Sequence, residues 1–246
     1  MQHFYVESDA VSDGTLTISG SDYNHIKNVL RMKPGEELTA VDGESREYLC
    51  EVSSYDDKRV LCTIKESRMC ALELPCKVVL FQGLPKKDKL ELIVQKAVEL
   101  CVSKIVPVLT KRAVVVPGSA EKESKKTERL NAIALAAAKQ CGRGVVPEVS
   151  PLVSFGDALK EASGMDIALI PYELADDVES SRAIIRSLGT KKSVAVFIGP
   201  EGGFDRTEVE AALEAKVIPI TLGKRILRTE TAAICALSLI MYETTS

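Results

Sequence analysis

The spacing of apolar residues changes near Leu74-Pro75, and this change constrains the fold more than any other feature of the chain. Before it, short apolar runs separated by Asp-Gly and Pro-Gly turns predict strands, with one helix over residues 21–31. After it, buried strand runs alternate with segments of helical spacing. We therefore predict a small β-barrel-like domain at residues 1–74 and an α/β domain at residues 75–246.

The individual elements follow from the same patterns. In the first domain, strands are predicted at residues 3–6, 15–18, 37–41, 48–53 and 60–65. In the second, strands are predicted at residues 77–83, 104–108, 166–170, 193–198 and 217–222. Helical spacing predicts helices at residues 90–101, 121–141, 206–215 and 231–243. The continuous apolar runs of the second domain are typical of buried parallel strands.

Composition excludes several classes of protein. With 246 residues, 46% of them hydrophobic, the chain is long and apolar enough to bury a core. The N-terminal segment lacks the features of a signal peptide, and the apolar run at 231–242 is shorter than the ~20 residues of a membrane span, so we expect a cytoplasmic protein. Seven cysteines without a CxxC pair predict reduced thiols. Only two histidines are present, so no metal site is expected.

Charge is distributed unevenly along the chain. The net charge is -3, but residues 75–143 carry 14 Lys and Arg against 6 Asp and Glu, a local charge of +8. A basic block of this kind is typical of a protein that binds a polyanion, and a solvated helix face explains it equally well.

Three segments follow strands of the predicted parallel sheet and define the candidate site. They are residues 170–173, 198–204 and 222–232, and ligands of open parallel sheets bind beyond such strand ends. Glycines at 199, 202, 203 and 223 would let the backbone approach a ligand closely, although strand-to-helix turns also need glycine. The chain has no Rossmann, P-loop or nucleophile-elbow motif, which argues against those sites.

These late segments carry a family resemblance. Residues 198–204, Ile-Gly-Pro-Glu-Gly-Gly-Phe, followed by Glu208, and residues 222–232 closely resemble the two C-terminal signatures of RsmE-type methyltransferases of the SPOUT superfamily. The resemblance extends over essentially the whole chain through Lys87, Gln95, Lys96, Glu99, Leu100, Gln140, Gly142, Arg143, His25, Val29, Leu30, Arg31 and Gly35. One departure is His3, which stands where the family commonly has an arginine.

The resemblance implies both a fold and a function. It implies a PUA-like N-terminal barrel, a SPOUT α/β domain with a C-terminal trefoil knot, and a homodimer. It also implies transfer of a methyl group from S-adenosylmethionine to N3 of a uridine in small-subunit (16S) ribosomal RNA, as free RNA or in the assembled subunit.

The site residues follow from the resemblance and from the chemistry of methyl transfer. Loss of the uridine N3 proton needs charge stabilisation, which we assign to Arg228, with a salt bridge to Glu201 or Glu230 as the alternative. Glu201 either helps to hold its loop or accepts the proton, and the alternative is that it only contacts a backbone N–H in a glycine-rich turn. The residues expected to bind the cofactor are Pro171, Ile198, Gly199, Gly202, Leu222, Gly223, Ile226, Leu227 and Ala232. Those expected to contact RNA are Lys27, Arg31, Lys86, Lys87, Lys111, Arg112 and Arg143.

Two other classes of function remain open at this point. A non-catalytic RNA-binding protein of ribosome assembly would need the basic block but not both glycine loops. A small-molecule enzyme with an α/β nucleotide site would need neither the barrel nor the basic block. Binding of S-adenosylmethionine separates the first alternative from a methyltransferase.

Overall fold

The computed structural model describes residues 3–6, 8–115, 117–172 and 177–245, and their contacts divide the chain into two units. The first unit comprises Met1–Glu73 together with Ala138–Val146, and the second comprises Leu74–Ala137 and Pro147–Ser246. The sequence predicted one boundary at residue 74. It did not reveal the returning segment, because helical spacing continues without interruption to residue 141.

The first unit contains a six-stranded sheet. Its strands are β1 (His3–Tyr5), β2 (Val11–Ser12), β3 (Thr15–Ile18), β4 (Glu37–Val41), β5 (Arg46–Asp56) and β6 (Arg59–Met69). Their order is β1-β4-β5-β6-β3-β2, with β1 parallel to β4 and the other pairs antiparallel. The pairings of the described residues form an open path, so the predicted barrel is not closed by hydrogen bonds between β1 and β2.

One helical segment packs on this sheet. Helix α1 (Gly20–Asn24) continues as a π-helical turn over His25–Val29, so the predicted helix is present but ends two residues early. Tyr23 and Ile26 are buried in a core that includes Leu16, Ile18, Leu38, Ala40, Cys50, Val52, Val60 and Cys62. Burial of these apolar side chains is what holds the helix against the strands.

The second unit contains a parallel sheet. Its strands are β7 (Lys77–Gly83), β8 (Lys104–Leu109), β9 (Glu148–Val149), β10 (Val153–Ser154), β11 (Ile167–Pro171), β12 (Ser193–Ile198) and β13 (Ile218–Ile220). Their order is β10-β8-β7-β12-β11-β13, with β9 beside β8, and every named pair is parallel. The prediction of buried parallel strands is confirmed.

Six helices accompany this sheet within the described residues. They are α2 (Lys89–Glu99), α3 (Ala120–Cys141), α4 (Phe155–Ala162), α5 (Val178–Arg186), α6 (Arg206–Glu214) and α7 (Thr229–Thr244). Helices α4 and α5 were not predicted from the sequence. The sheet core centres on stacked rings of Phe81 and Phe197, whose centroids lie 4.6 Å apart.

The described residues contain no helix long and apolar enough to cross a membrane, no group of three potential metal ligands and no disulfide. All seven cysteines are free. Burial raises the pKa of Cys50 to about 11 and that of Cys62 to about 12, so these two thiols stay protonated.

Candidate active site

The three predicted ligand segments leave the carboxyl ends of three neighbouring strands. Strand β11 pairs with both β12 and β13, so residues 170–172, the 198–204 loop and the loop after β13 share one edge of the sheet. The backbone N–H of Tyr172 donates to the carbonyl of Ile220 at 3.0 Å, which extends the β11–β13 pairing into the site. Glu173, the last residue of the first segment, lies outside the described residues.

A buried polar network connects the start of α7 to the ends of β7 and β12. Gln82, fully buried in β7, donates through Nε2 to Oγ1 of Thr229 at 3.0 Å. The Thr229 hydroxyl in turn donates to the carbonyl of Gly199 at 2.7 Å. Oε1 of Gln82 is buried and has no hydrogen-bond partner among the described residues. An unpaired buried acceptor is costly, so this atom marks a place where a ligand donor would be favourable.

The 198–204 loop lies unusually close to β7. A Cβ atom added at Gly83 would be 2.7 Å from Cδ and 2.9 Å from N of Pro200. Both distances are shorter than any normal contact, so glycine at 83 is required by this close approach. At the second loop, Gly223 has φ +115°, a conformation that residues with a Cβ rarely adopt. A Cβ at Gly202 would be 3.2 Å from Cβ of Arg112, so a larger residue there would press on the segment after β8.

Lys89 connects the 198–204 loop to α7 by ion pairs. Its Nζ lies 3.0 Å from Oε1 of Glu201 and 3.3 Å from Oε2 of Glu230 in the first turn of α7. The backbone N–H of Lys86 donates to the Glu201 carboxylate at 3.1 and 3.3 Å. Each of the three paired side chains is less than a third exposed. The network therefore holds two carboxylates beside the positive end of the α7 dipole.

These partners determine the protonation state of Glu201. Burial alone, the largest influence, would raise its pKa, but hydrogen bonds from backbone amides and from Lys89 outweigh it and lower the pKa below the usual range. The same contact raises the pKa of Lys89. Glu201 is thus ionised at neutral pH and accepts a backbone N–H, which corresponds to the loop-holding alternative.

Arg228 stands at the N-cap of α7 with extended backbone, φ -64° and ψ 152°. Its side chain is exposed, and within the described part of the chain it makes no ion pair. The predicted alternative, a salt bridge to Glu201 or Glu230, is not formed because Lys89 occupies both carboxylates. The guanidinium of Arg228 is thus unpaired among the described residues, and Arg228 lies at the end of the loop after β13.

The residues expected to bind the cofactor differ in their exposure. Ile198 is buried, whereas Gly202 and Gly223 are exposed and Ile226 is 87% exposed. The others are partly buried, namely Pro171, Gly199, Leu222, Leu227 and Ala232. Partly exposed apolar side chains and open backbone on two loops form a surface suited to an apolar, planar ligand such as a nucleobase.

The basic residues predicted in the second unit are exposed near the same edge of the sheet. Lys86 and Lys87 follow β7, and Lys87 has φ +56°. Lys111 and Arg112 follow β8, where Nη1 of Arg112 donates to the carbonyl of Gly202 at 3.2 Å. Two of these four residues contact the 198–204 loop, Arg112 through its side chain and Lys86 through its backbone N–H.

In the first unit, Lys27 and Arg31 lie at the end of the helical segment. Nζ of Lys27 donates to the hydroxyl of Tyr23 at 2.8 Å and lies over the rings of Tyr23 and Tyr55. Arg31 is exposed with φ +56°, an uncommon conformation for a residue other than glycine. Both cations are available at the surface of this unit.

The prediction for Arg143 needs correction. Arg143 is only 3% exposed, and its guanidinium pairs with Glu73 through Nη2 at 2.5 Å and Nε at 3.2 Å. The backbone amides of Gly144 and Val145 donate to the same carboxylate. A buried guanidinium satisfied in this way does not face solvent, so Arg143 fixes the returning segment of the first unit rather than contacting phosphate.

Three residues of the network were not identified from the sequence, namely Gln82, Lys89 and Thr229. A polar glutamine inside the apolar run 77–83 was a usable signal, because a buried polar group needs a partner. No comparable signal distinguishes Lys89 from Lys86 and Lys87, since its role depends on carboxylates more than 100 residues away.

Comparison with known proteins identifies the family. A model of the RNA methyltransferase domain matches residues 72–241, and a model of the RNA methyltransferase PUA domain matches residues 18–65. The first unit thus contains a PUA-like domain, and the second contains a methyltransferase domain.

Individual relatives agree with these matches. The ribosomal RNA small subunit methyltransferase E of Bacillus subtilis (strain 168) is 37% identical over 99% of this chain and 97% of its own. A methyltransferase of Legionella pneumophila, solved with the bound cofactor SAM, is 32% identical with a TM-score of 0.80 over 98% and 96% of the two chains. The ribosomal RNA small subunit methyltransferase E of Neisseria gonorrhoeae, solved with S-adenosyl methionine, is 28% identical with a TM-score of 0.83 over 98% and 97%. The chain belongs to the ribosomal RNA small subunit methyltransferase E family.

Proposed function

We propose that this protein methylates N3 of a uridine in small-subunit (16S) ribosomal RNA, with S-adenosylmethionine as the methyl donor. The observation that carries the proposal is the convergence of the 198–204 loop and the start of α7 on Gln82, with the loop after β13 leading directly into α7. Two structural relatives with comparable folds hold S-adenosylmethionine.

The residues at this convergence fit the cofactor. The unpaired Oε1 of Gln82 and the backbone groups of the glycine loops would accept and donate hydrogen bonds, and Ile226, Leu222 and Leu227 would cover an adenine ring. S-adenosylmethionine supplies an activated methyl group, so the protein has to align the uridine and stabilise its charge.

The mechanism assigns separate tasks to three charged residues. Arg228 stabilises the negative charge that develops on the uracil ring as the N3 proton leaves to water and N3 takes the methyl group. Glu201, held ionised by Lys89 and the Lys86 amide, is a weak base and fixes the 198–204 loop. Lys89 is a positioning residue, because it acts through the two carboxylates.

RNA binding is assigned to the exposed cations of both units. Lys86, Lys87, Lys111 and Arg112 would contact phosphates near the reacting uridine, and Lys27 and Arg31 would contact phosphates through the PUA-like unit. Arg143 is withdrawn from this set because of its burial against Glu73.

We also propose that the protein is a cytoplasmic homodimer with a C-terminal trefoil knot. In support of a dimer, α2 packs on α7, and Leu92, Leu239 and Tyr242 of these helices are exposed, Tyr242 by 79%. The path of the chain after β13 supports a knot. Strand β13 is at the edge of the sheet, next to β11, but Thr229 at the start of α7 bonds to the ends of β7 and β12, so the chain crosses the end of β11 between them.

Nucleoside analysis of ribosomal RNA tests the proposal in cells. Small-subunit RNA from a strain lacking this protein should lose 3-methyluridine, and a plasmid copy should restore it. An Arg228→Ala copy should not restore it. Restoration by a copy unable to bind S-adenosylmethionine would instead indicate a non-catalytic role in ribosome assembly.

A further inference from the structure

A cleft of about 650 Å³ lies in the second unit outside the network described above. It opens between α4, α6 and the segment after β8, and Leu109, Phe155, Leu159 and Ala211 form its apolar wall. Gly156, in the first turn of α4, also lines it, and a Cβ there would meet only Oγ of Ser154 at 3.9 Å. A volume of this order suits a nucleotide-sized ligand.

One polar atom in this cleft is unsatisfied. Thr110 lines the cleft and is 4% exposed, and its Oγ1 has no hydrogen-bond partner among the described residues. The neighbouring carboxylate of Glu208 is satisfied, because it accepts the backbone amides of Lys111 and Asp205, each at 2.8 Å. The free hydroxyl is therefore the group that can read a ligand, and it can either donate or accept.

Charge and position indicate what the ligand is. Lys111 lines the cleft, and its Nζ donates to Oγ1 of Thr207 at 2.6 Å. Arg112 follows it with a half-exposed side chain whose Nη2 lies 3.6 Å from Oδ2 of Asp205, a loose pair that leaves both cations within reach of a phosphate. Arg112 also contacts Gly202, so the cleft adjoins the 198–204 loop. An apolar cleft with an aromatic wall, one free hydroxyl and cations beside it matches a nucleobase with its phosphate, which is how single-stranded RNA is recognised.

We propose that this cleft binds one unpaired nucleotide of the RNA substrate, with the base against Phe155 and Leu159 and the phosphate on Lys111 and Arg112. Thr110 would hydrogen-bond the edge of the base. This inference rests on the proposed function, since it assumes that RNA is brought to the 198–204 loop.

The test fills the cleft without disturbing the loops. Gly156→Leu adds a side chain where the backbone is helical and space is available, and Gly164→Leu is the matched control just beyond the same helix. For Gly156→Leu we expect KM for unmodified small subunits to rise about tenfold or more, the order contributed by one bound base, with affinity for S-adenosylmethionine unchanged. Thr110→Val, which replaces the hydroxyl by a methyl group of similar size, should raise KM by a smaller factor.

Binding of uridine 5′-monophosphate provides a readout independent of turnover. Methyl resonances of Leu109, Leu159 and Ala211 should shift on titration of the wild type and the control, and should stay unshifted in Gly156→Leu. Unchanged KM in Gly156→Leu, or equal loss in both leucine variants, would refute the nucleotide site, as would a loss of S-adenosylmethionine affinity. Failure of the wild type to methylate any ribosomal RNA would instead refute the proposed function.

Discussion

Gly83→Ala tests whether the close approach of β7 to the 198–204 loop creates the cofactor site. The added Cβ would lie 2.7 Å from Cδ and 2.9 Å from N of Pro200, about 1 Å inside the usual carbon contact of ~3.5–4.0 Å. Strand β7 is fixed between β8 and β12, so the loop must move. The loop carries Gly199, whose carbonyl binds Thr229, and Glu201, which binds Lys89.

The expected magnitude follows from the cost of overpacking. Inserting a methyl group into a close-packed site costs about 1–3 kcal/mol. If loop displacement relieves the strain, the cost appears as weaker binding, a loss of roughly 5- to 150-fold in affinity for S-adenosylmethionine. If the strain persists, Tm falls by roughly 2–4 °C for each kcal/mol in a chain of this size.

Isothermal titration calorimetry with S-adenosylhomocysteine measures the affinity, and differential scanning calorimetry measures Tm. Gly164→Ala is the matched control, because its Cβ would meet only the carbonyl of Glu161 at 3.8 Å, an ordinary contact. Wild-type affinity and wild-type Tm in Gly83→Ala would refute the reasoning. Equal losses in both alanine variants would show that the effect is not specific to the loop.

Four further predictions follow from the charged residues. Arg228→Lys should lower kcat by ~10²-fold or more in single-turnover methylation at saturating RNA, because an ammonium does not reproduce the planar donors of guanidinium. A kcat near that of the wild type would contradict the role of Arg228 in stabilising charge on the uracil ring. Arg31→Ala should weaken RNA binding in filter assays, and the affinity of the variant for RNA should depend less steeply on salt than that of the wild type. Its cofactor affinity should be unchanged, and a loss of cofactor affinity would contradict a purely RNA-binding role. Arg143→Ala should cost about 3–5 kcal/mol by leaving a buried carboxylate unpaired, seen as a Tm lower by roughly 10 °C, and an unchanged Tm would contradict the burial. The lowered pKa of Glu201 and the raised pKa of Lys89 keep their pair ionised throughout the neutral range. Calorimetry should therefore find that cofactor affinity between about pH 6 and 9 changes only with the ligand's own amino group, and a further titration within that range would contradict this assignment.

The parts of the fold that could be predicted are those with long, regular hydrophobic patterns. Strands β7 and β12 and helix α3 appear within a residue of their predicted bounds, because continuous apolar runs and an uninterrupted 3.6-residue period are strong local signals. Helices α4 and α5, of two turns each, were not predicted, although the equally short α6 was. A small β-barrel-like domain was predicted without a strand order, because strand pairing depends on contacts that local patterns do not specify.

The candidate site could be located from the sequence but not resolved into partners. The ends of parallel strands and the glycine positions placed the loops at one edge of the sheet. Whether a charged residue is paired depends on residues distant in sequence, so Lys89 was missed and Arg143 was misassigned, its partner Glu73 lying 70 residues away. Chain topology brings such partners together, and no local pattern records it.

The central claim is that this protein itself transfers a methyl group to N3 of uridine in small-subunit ribosomal RNA. The most direct measurement incubates the purified protein with small subunits from a strain lacking it and with isotopically labelled S-adenosylmethionine, then digests the RNA for chromatography and mass spectrometry. The account predicts labelled 3-methyluridine as the product, with Arg228→Ala giving little or none. Label in any other nucleoside, or no label in RNA although the protein binds S-adenosylmethionine, would contradict it.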